Sequence, residues 1–211
     1  MKGFDKIRLY GAGGHSQIIQ AVSNQNGVTV TAVFDDNTSG SHPAFKNIIS
    51  GARKNPDKFP HTGDPFIIAV GDNSHRVEIS KFLKSEFATV IHKSAIIDPN
   101  VSIGKGTVIY AGAAVQPNTI IGEHVIINTL ASVDHDNIIE DFVHVSPNAT
   151  LCGLVHVGEG THIGAGAVII PKIKIGKWCT IGAGAVIIRD VPDYSVVVGN
   201  PGKVIKTKSL L

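Results

Sequence analysis

Residues 121–168 read IGEHVI INTLAS VDHDNI IEDFVH VSPNAT LCGLVH VGEGTH IGAGAV when they are written in blocks of six. Every block begins with Ile, Val or Leu, the second residue is often glycine, and the fifth is mostly small. An α-helix repeats at 3.6 residues and a strand at two, so neither explains a period of six. A hexapeptide period is typical of a parallel β-helix, in which each block forms one short strand and one turn.

The same period extends in both directions without an insertion. The block heads, which we expect to fill the interior, are Ile91, Ile97, Ile103, Ile109, Val115, Ile121, Ile127, Val133, Ile139, Val145, Leu151, Val157, Ile163, Ile169, Ile175, Ile181 and Ile187. Glycine after a head leaves room at a corner where a Cβ atom would crowd the neighbouring coil. Since no long loop leaves the repeat, a functional site must be built from its faces and from a neighbouring subunit.

Composition excludes several classes of protein. The chain has 211 residues, of which 43% are hydrophobic and 17% charged, so it is not a disordered chain. A formal charge of +2 without a Lys/Arg block gives no footprint for nucleic acid or a membrane surface. The apolar runs are too short to span a bilayer, and the first residues have no signal-peptide core. Two cysteines cannot form a disulfide framework. A soluble, cytoplasmic protein is expected.

The first 88 residues follow a different pattern. Strands are predicted at 6–10, 28–34 and 66–70, with helices after the first and third, and a surface excursion over 37–65. This alternation predicts a Rossmann-like β-α-β unit, whose turns at the carboxyl ends of the strands are competent to bind ligands. We therefore divide the chain into a Rossmann-like domain (1–88), a β-helix domain (89–190) and a C-terminal tail (191–211).

The glycine turn after the first strand is an incomplete dinucleotide motif. G-x-G-x-x-G requires glycine at position 16, where Ser16 stands, although Asp35 and Asp36 follow about twenty residues on. About 85 residues also form only half of a two-lobed dinucleotide fold. Backbone N–H groups at a helix start still suit phosphates. The turn predicts a nucleotide-diphosphate site, with a purely structural tight turn as the alternative.

Short motifs are distributed along both halves of the chain: GAGGH at 11–15, DD at 35–36, GDN at 71–73, IHKSA at 91–95, NT at 128–129, DHD at 134–136, FVHVS at 142–146, Gly153, and GNPGK at 199–203. In this combination the chain resembles the hexapeptide-repeat sugar O-/N-acyltransferases, a group with sialic acid O-acetyltransferases, perosamine N-acetyltransferases and the UDP-4-amino-sugar N-acetyltransferases of bacillosamine synthesis. The enzymes of bacillosamine synthesis have Glu-His-Glu where this chain has Asp-His-Asp at 134–136. Both acidic side chains are therefore shorter in this chain by one methylene group.

The resemblance implies a left-handed β-helix in which three blocks close one triangular coil and residues eighteen apart stack at about 4.8 Å. Residues 91–187 then form a little over five coils. It also implies a homotrimer that uses acetyl-CoA without a metal and acetylates a nucleotide-linked amino sugar.

Site residues follow from the resemblance position by position. His135 resembles the general base, and Asp136 the residue that tunes it. The implied acetyl-CoA contacts are His144, Ala165 and Ala183. The implied contacts with the nucleotide sugar are Gly13, Gly14, His15, Asp35, Asp36, Gly71 and Asn128.

The repeat supports His135 in a second way. His135 and Gly153 are both third in their blocks and eighteen apart, so they are expected to stack on neighbouring coils. An imidazole beside an unobstructed backbone N–H can act as base and oxyanion donor. A neighbouring carboxylate such as Asp136 favours the imidazolium and raises the basicity of His135.

Several alternatives stay open. Asp134 is either a site residue or a corner residue. Cys152 fits a small turn residue better than a catalytic nucleophile, and Cys179 is expected in the core. His124 and His156 are expected to be solvated. Trp178 covers the cofactor or contacts a subunit. N- and O-acetylation are both compatible with one base, and N-acetylation is preferred. A γ-carbonic-anhydrase-like zinc site does not fit the histidine spacings, and a non-catalytic nucleotide-sugar sensor is separable by a coenzyme A binding test.

Overall fold

The computed structural model of the protein describes residues 4–36, 45, 48–51, 53 and 63–208. The chain divides into two compact units, and the division falls between Lys93 and Ser94. Within the described ranges, no helix has the length and apolarity needed to cross a membrane.

The first unit is a parallel sheet with two helices. Its elements are β1 (Lys6–Tyr10), α1 (Gly14–Gln25), β2 (Thr29–Asp35), β3 (Ile48–Ser50), β4 (Phe66–Ile68), α2 (Asn73–Phe82) and β5 (Val90–Ile91). The sheet has the order β3-β2-β1-β4, with parallel pairing throughout. The predicted β-α-β region is confirmed. Strand β3 is an addition to it, because composition predicts only a surface excursion over 37–65.

Both helices of the first unit begin at the carboxyl edge of the sheet. Gly11 turns the chain after β1 with a φ of +111°, and a Cβ atom there would lie 2.7 Å from the Ala69 carbonyl oxygen. Only glycine allows this approach, which brings the start of α1 close to the end of β4. The Asp72 carboxylate caps α2 by accepting the His75 N–H at 2.9 Å. The starts of both helices and the carboxyl ends of all four strands therefore lie at one edge.

The second unit is a parallel β-helix of about six turns. Its repeat strands are β6 (Ile96–Ile97), β7 (Ser102–Ile103), β8 (Val108–Ile109), β9 (Ala114–Val115), β10 (Ile120–Ile121), β11 (Ile126–Ile127), β12 (Ser132–Val133), β13 (Ile138–Ile139), β14 (His144–Val145), β15 (Thr150–Leu151), β16 (His156–Val157), β17 (His162–Ile163), β18 (Val168–Ile169), β19 (Lys174–Ile175), β20 (Thr180–Ile181) and β21 (Val186–Ile187). Strands β22 (Ser195–Val198) and β23 (Lys203–Thr207) follow. The left-handed hexapeptide fold predicted from the sequence is confirmed.

Every third repeat strand lies on the same face of the prism. One face carries β6, β9, β12, β15, β18 and β21, a second carries β7, β10, β13, β16 and β19, and the third includes β8, β11, β14, β17 and β20. Pairing is parallel with a shift of eighteen residues, as in Val133 with Leu151. Strand β22 extends the third face by pairing with β20, and β23 returns antiparallel beside it.

The block heads form the interior. From Ile109 to Ile187, each of the fourteen heads is at most 2% exposed. Glycine after a head is required where the next coil comes very close. A Cβ atom on Gly104 would lie 2.5 Å from the Gly122 carbonyl carbon. The left-handed turns fall elsewhere, at the fourth position of the blocks from the one headed by Ile103 to the one headed by Ile181, where Asp136 has a φ of +57° and Leu154 of +64°. These left-handed corners are not predicted from the sequence.

The expectation for His124 is wrong. Its side chain is not solvated, because the residue is 3% exposed and its ring stacks on Phe142 with centroids 5.1 Å apart. The two residues are eighteen apart at fourth positions, so their rings lie one above the other. In contrast, Cys179 is fully buried, as the sequence analysis expects.

Ile169 tests the interior directly, because this head is fully buried in the middle of the prism. We expect Ile169→Val to lower the free energy of unfolding by about 0.5–1.5 kcal/mol and Ile169→Ala by about 2–5 kcal/mol. Chemical denaturation of both variants measures the series. Equal stability of Ile169→Ala and the wild type would contradict an interior filled by the heads.

Candidate active site

His135 and Gly153 lie against each other on neighbouring coils. A Cβ atom added to Gly153 would lie 2.6 Å from His135 Nε2 and 2.7 Å from its Cε1 atom. The imidazole thus occupies space that exists only because position 153 is glycine. The Gly153 N–H has no hydrogen-bond partner among the described residues. A ring nitrogen and an unpaired backbone donor therefore lie beside each other.

Two carboxylates hold the other side of this histidine. Asp136 Oδ2 lies 2.6 Å from His135 Nδ1, and Asp134 Oδ1 accepts the His135 backbone N–H at 2.8 Å. Asn118, eighteen residues before Asp136, donates to Asp136 Oδ1 at 3.1 Å. With Nδ1 hydrogen-bonded to a carboxylate, Nε2 is the nitrogen that faces Gly153 and can exchange a proton.

These contacts shift the pKa values of the pair in opposite directions. The hydrogen bond to Asp136, reinforced by the charge of Asp134, raises the pKa of His135. The hydrogen bonds from His135 and then Asn118 lower the pKa of Asp136. Each shift has the same cause, because a carboxylate stabilises the imidazolium and an imidazolium stabilises the carboxylate.

His144 belongs to a second polar cluster. Asn128 Nδ2 lies 3.1 Å from His144 Nε2, while Asn128 Oδ1 accepts the Thr129 N–H at 2.8 Å. The second contact orients the amide so that its NH₂ group points at the ring, which makes His144 Nε2 an acceptor. The ring of His144 stacks on His162 at 4.8 Å, and His162 Nε2 lies 2.8 Å from Ser146 Oγ. Asn128 and His144, which the sequence analysis assigns to different ligands, are therefore hydrogen-bonded to each other.

Ala165 and Ala183 lie on an open edge of the prism. Both are exposed and stacked, with the Ala165 carbonyl accepting the Gly184 N–H at 2.9 Å. A Cβ atom on Gly166 or Gly184 would meet nothing within 4 Å. This edge leaves the backbone accessible to a ligand.

The first unit contains a cleft of about 480 Å³ at the edge where its helices begin. The structure brings the six predicted residues of this unit together in its lining: Gly13, Gly14, His15, Asp35, Asp36 and Gly71. The lining also includes Tyr10 and Arg53, which the sequence analysis missed. Arg53 comes from the segment interpreted as an excursion, and one arginine in a polar stretch offers no signal that it returns to β2.

The two aspartates of the cleft have different partners. Asp35 Oδ2 accepts the Ala12 N–H at 2.8 Å and so holds the glycine turn. Asp36 accepts the Tyr10 hydroxyl at 2.7 Å and pairs with Arg53 Nε at 2.6 Å. The predicted acidic pair is thus one turn-holding carboxylate and one carboxylate paired with a cation.

His15 differs from His135 in the direction of its pKa shift. Burial, followed by the nearby charge of Arg76, lowers the pKa of His15 to about 4. Arg76 is 1% exposed and donates to the carbonyl oxygens of Val70 and Gly71 at 3.2 and 3.0 Å. His15 is therefore neutral near pH 7, with one ring nitrogen that donates and one that accepts.

No group of three or more His, Cys, Asp or Glu side chains in the described ranges is arranged to hold a metal ion. Cys152, which precedes Gly153, is partly exposed, and its backbone N–H pairs with the Ile169 carbonyl in the ordinary ladder.

Comparisons with known proteins match both units. Residues 6–83 match the PglD N-terminal domain, and residues 154–189 match the bacterial transferase hexapeptide (six repeats). The acetyltransferase domain of PglB from Neisseria gonorrhoeae is 34% identical with a TM-score of 0.87, over 95% of this chain and 100% of that one. The chain belongs to the hexapeptide-repeat sugar acyltransferase family.

Other members of this family carry informative names. PerB from Caulobacter crescentus, solved in complex with CoA and GDP-perosamine, is 31% identical with a TM-score of 0.88, over 95% of this chain and 97% of that one. The UDP-N-acetylbacillosamine N-acetyltransferase of Bacillus subtilis is 41% identical over 118 residues, covering 47% of this chain. The alignments with curated relatives span about half of their length or less.

The two histidines permit a direct test by NMR titration of the side chains. We expect His135 to titrate above its ordinary value of 6.5 and His15 near 4. In Asp136→Asn, the pKa of His135 should fall because the principal stabiliser of its charged form is lost, while His15 should not change. A His135 pKa that is insensitive to Asp136→Asn would contradict the hydrogen bond as the cause.

Proposed function

We propose that this chain, as a cytoplasmic homotrimer, transfers the acetyl group of acetyl-CoA to the amino group of a nucleotide-linked amino sugar. The observation that carries the proposal is the contact between His135 Nε2 and the position of Gly153, which joins a base to an unpaired backbone donor. The substrate class is supported by two relatives named UDP-N-acetylbacillosamine N-acetyltransferase and perosamine N-acetyltransferase. A single histidine base could equally deprotonate a sugar hydroxyl and so support O-acetylation. The names of these relatives favour N-acetylation of an amine.

The reaction needs two groups at the acyl carbon. The amine attacks the thioester carbonyl carbon and loses a proton to His135 Nε2. The Asp136 carboxylate accepts a hydrogen bond from His135 Nδ1–H and stabilises the imidazolium. The carbonyl electron pair moves to oxygen, where the Gly153 N–H donates to the oxyanion. Collapse of this intermediate breaks the C–S bond, and the leaving thiolate of CoA receives the proton held by His135. Attack is direct, so no acetyl-enzyme forms and Cys152 needs no part in the transfer.

Acetyl-CoA is assigned to the β-helix unit. His144 offers a ring oriented by Asn128, and Ala165 and Ala183 offer exposed backbone on an edge without bulky side chains. Such an edge suits an extended ligand that hydrogen-bonds to the main chain. Asn128, with its amide engaged by His144 and Thr129, contributes to this site chiefly by orienting His144.

The nucleotide is assigned to the cleft of the first unit. Gly13 and Gly14 present backbone at the start of α1, and a Cβ atom on either would meet nothing within 4 Å. The N–H groups and dipole at a helix start suit a diphosphate. The neutral His15 adds a hydrogen-bonding group without a charge, Gly71 adds backbone at the opposite wall, and Asp36 with Arg53 offers polar groups for the ribose or base.

His135→Ala removes the proposed base. We expect turnover to fall by about 10² to 10⁴-fold, the usual contribution of general-base catalysis, while the melting temperature changes little. In the wild type, the rate should rise with pH through the raised pKa of His135, because Nε2 accepts a proton only when the ring is neutral. His156→Ala, which alters a histidine paired with Glu140, is the matched control. More than about a third of wild-type turnover in His135→Ala, with normal substrate binding, would place the base elsewhere.

Asp36→Ala tests the nucleotide cleft. The change removes the acceptor of the Tyr10 hydroxyl and the partner of Arg53, so we expect the KM for the sugar nucleotide to rise about tenfold or more, as for the loss of a charged hydrogen bond. The KM for acetyl-CoA should stay within about twofold. Asp5→Ala, an exposed aspartate outside this cleft, serves as the control. Equal effects on both substrates would indicate that the turn is only structural.

A further inference from the structure

An amide side chain lies inside the prism, behind the turn that carries His135. Asn137 occupies a fifth position, where the other blocks place alanine, valine, threonine, isoleucine or cysteine. The residue is fully buried. Burial of an amide is unfavourable unless its hydrogen bonds are made, so the contacts of this side chain decide what it does.

The amide of Asn137 joins two turns. Its Nδ2 atom lies 2.6 Å from the Asp134 carbonyl oxygen, 3.3 Å from that of His135 and 3.0 Å from that of Cys152. Three surrounding carbonyl oxygens identify this end of the side chain as the NH₂ group. The first two oxygens belong to the turn that carries the proposed base, and the third belongs to the peptide that precedes Gly153.

Threonine at the same position of other blocks satisfies the backbone more simply. Thr107 donates to the Gly122 carbonyl at 2.9 Å and accepts the Val125 N–H at 3.0 Å. Thr161 repeats both contacts with Gly176 and Cys179. Each threonine thus bonds to the carbonyl fifteen residues later. Asn137 makes the equivalent bond to Cys152 and adds the contacts with the His135 turn.

Asparagine at this position is not the most stable choice. Its Oδ1 atom is buried and has no hydrogen-bond partner among the described residues. An unsatisfied buried acceptor lowers stability, whereas threonine would remove this acceptor and could still donate to the Cys152 carbonyl, as Thr161 does to that of Gly176. A residue that lowers stability and links two functional turns is typical of a position selected for activity.

The bond to Cys152 acts on the proposed oxyanion donor. The Cys152 carbonyl and the Gly153 N–H belong to one peptide group, and in a trans peptide they point in opposite directions. With its carbonyl held from the interior by Asn137, the peptide directs the Gly153 N–H outward. Donation to the carbonyl also polarises the peptide and strengthens its N–H as a donor.

We propose that Asn137 is a positioning residue, which fixes His135 and the Gly153 peptide relative to each other from inside the prism. It does not touch substrate. Because this role deepens the function proposed above, its kinetic test rests on that function.

The test compares two replacements that occur at fifth positions of this chain. Asn137→Val removes all three bonds, and Asp134 and His135 keep other donors, from Thr119 Oγ1 at 2.9 Å and the Leu154 N–H at 3.0 Å. We expect turnover to fall about tenfold or more through misplacement of the reacting groups, with both KM values within about twofold. Asn137→Thr should restore the bond to Cys152, as Thr161 does for Gly176, and recover part of the turnover.

Stability and a control variant separate positioning from folding. Asn137→Thr should melt no lower than the wild type, because the unpaired Oδ1 is gone and the Cys152 carbonyl keeps a donor. In Asn137→Val the removal of Oδ1 offsets the loss of that donor, so its melting temperature should stay near that of the wild type. Thr107→Val removes a buried hydroxyl at a fifth position that is bonded to Gly122 and Val125, and should lower the melting temperature without changing turnover. Asn137→Val with more than about a third of wild-type turnover, or a loss that Thr107→Val matches, would overturn the proposal.

A second readout needs no turnover. The ¹⁵N resonance of the Gly153 amide should shift in Asn137→Val, because the preceding carbonyl loses its hydrogen bond, and return towards its wild-type value in Asn137→Thr. An unchanged resonance in Asn137→Val would also overturn the proposal. An inactive wild type would contradict the proposed function, whereas an active wild type with an equally active Asn137→Val would contradict only the positioning role.

Discussion

Parallel pairing between residues eighteen apart is the constraint on which the β-helix unit depends. Each coil hydrogen-bonds to the next through its backbone, as Val133 does with Leu151, and this pairing holds successive coils about 4.8 Å apart. Every side chain therefore has a neighbour above and below at a fixed distance. Inward columns pack aliphatic heads, and outward columns bring polar residues together without any loop. The distances between side chains in such a site are therefore set by the hydrogen-bonded spacing of the coils.

The candidate active site uses this constraint on both sides of the chain. Outside, Asn118 and Asp136 form one column, and His135 and Gly153 form the adjacent one. Inside, Asn137 contacts the carbonyl groups of both turns. Asp136 adopts a left-handed φ of +57°, a conformation that asparagine and aspartate tolerate better than most residues. The carboxylate that raises the pKa of His135 is thus a residue type that this corner readily accepts.

Periodic features could be predicted from the sequence, and local contacts could not. The period of six predicts the heads, the coils and, with the family resemblance, the approach of His135 to Gly153. Strand β3 escapes prediction because its three residues follow no pattern and are recognised only by pairing with β2. The burial of His124 could not be predicted from its polar side chain alone. It depends on stacking with Phe142, which occupies the same position eighteen residues later. The partners of Asp35 and Asp36 depend on where the glycine turn and Arg53 fold back, which spacing does not encode.

Gly153→Ala tests most directly whether the stacked pair carries the chemistry. The new Cβ atom would lie 2.6 Å from His135 Nε2, and a terminal ring can move aside without disturbing the fold. The account predicts a loss of turnover on the order of 10²-fold, the effect of displacing a reacting group by about an ångström, with both KM values and the melting temperature near those of the wild type. Turnover within about threefold of the wild type would contradict it.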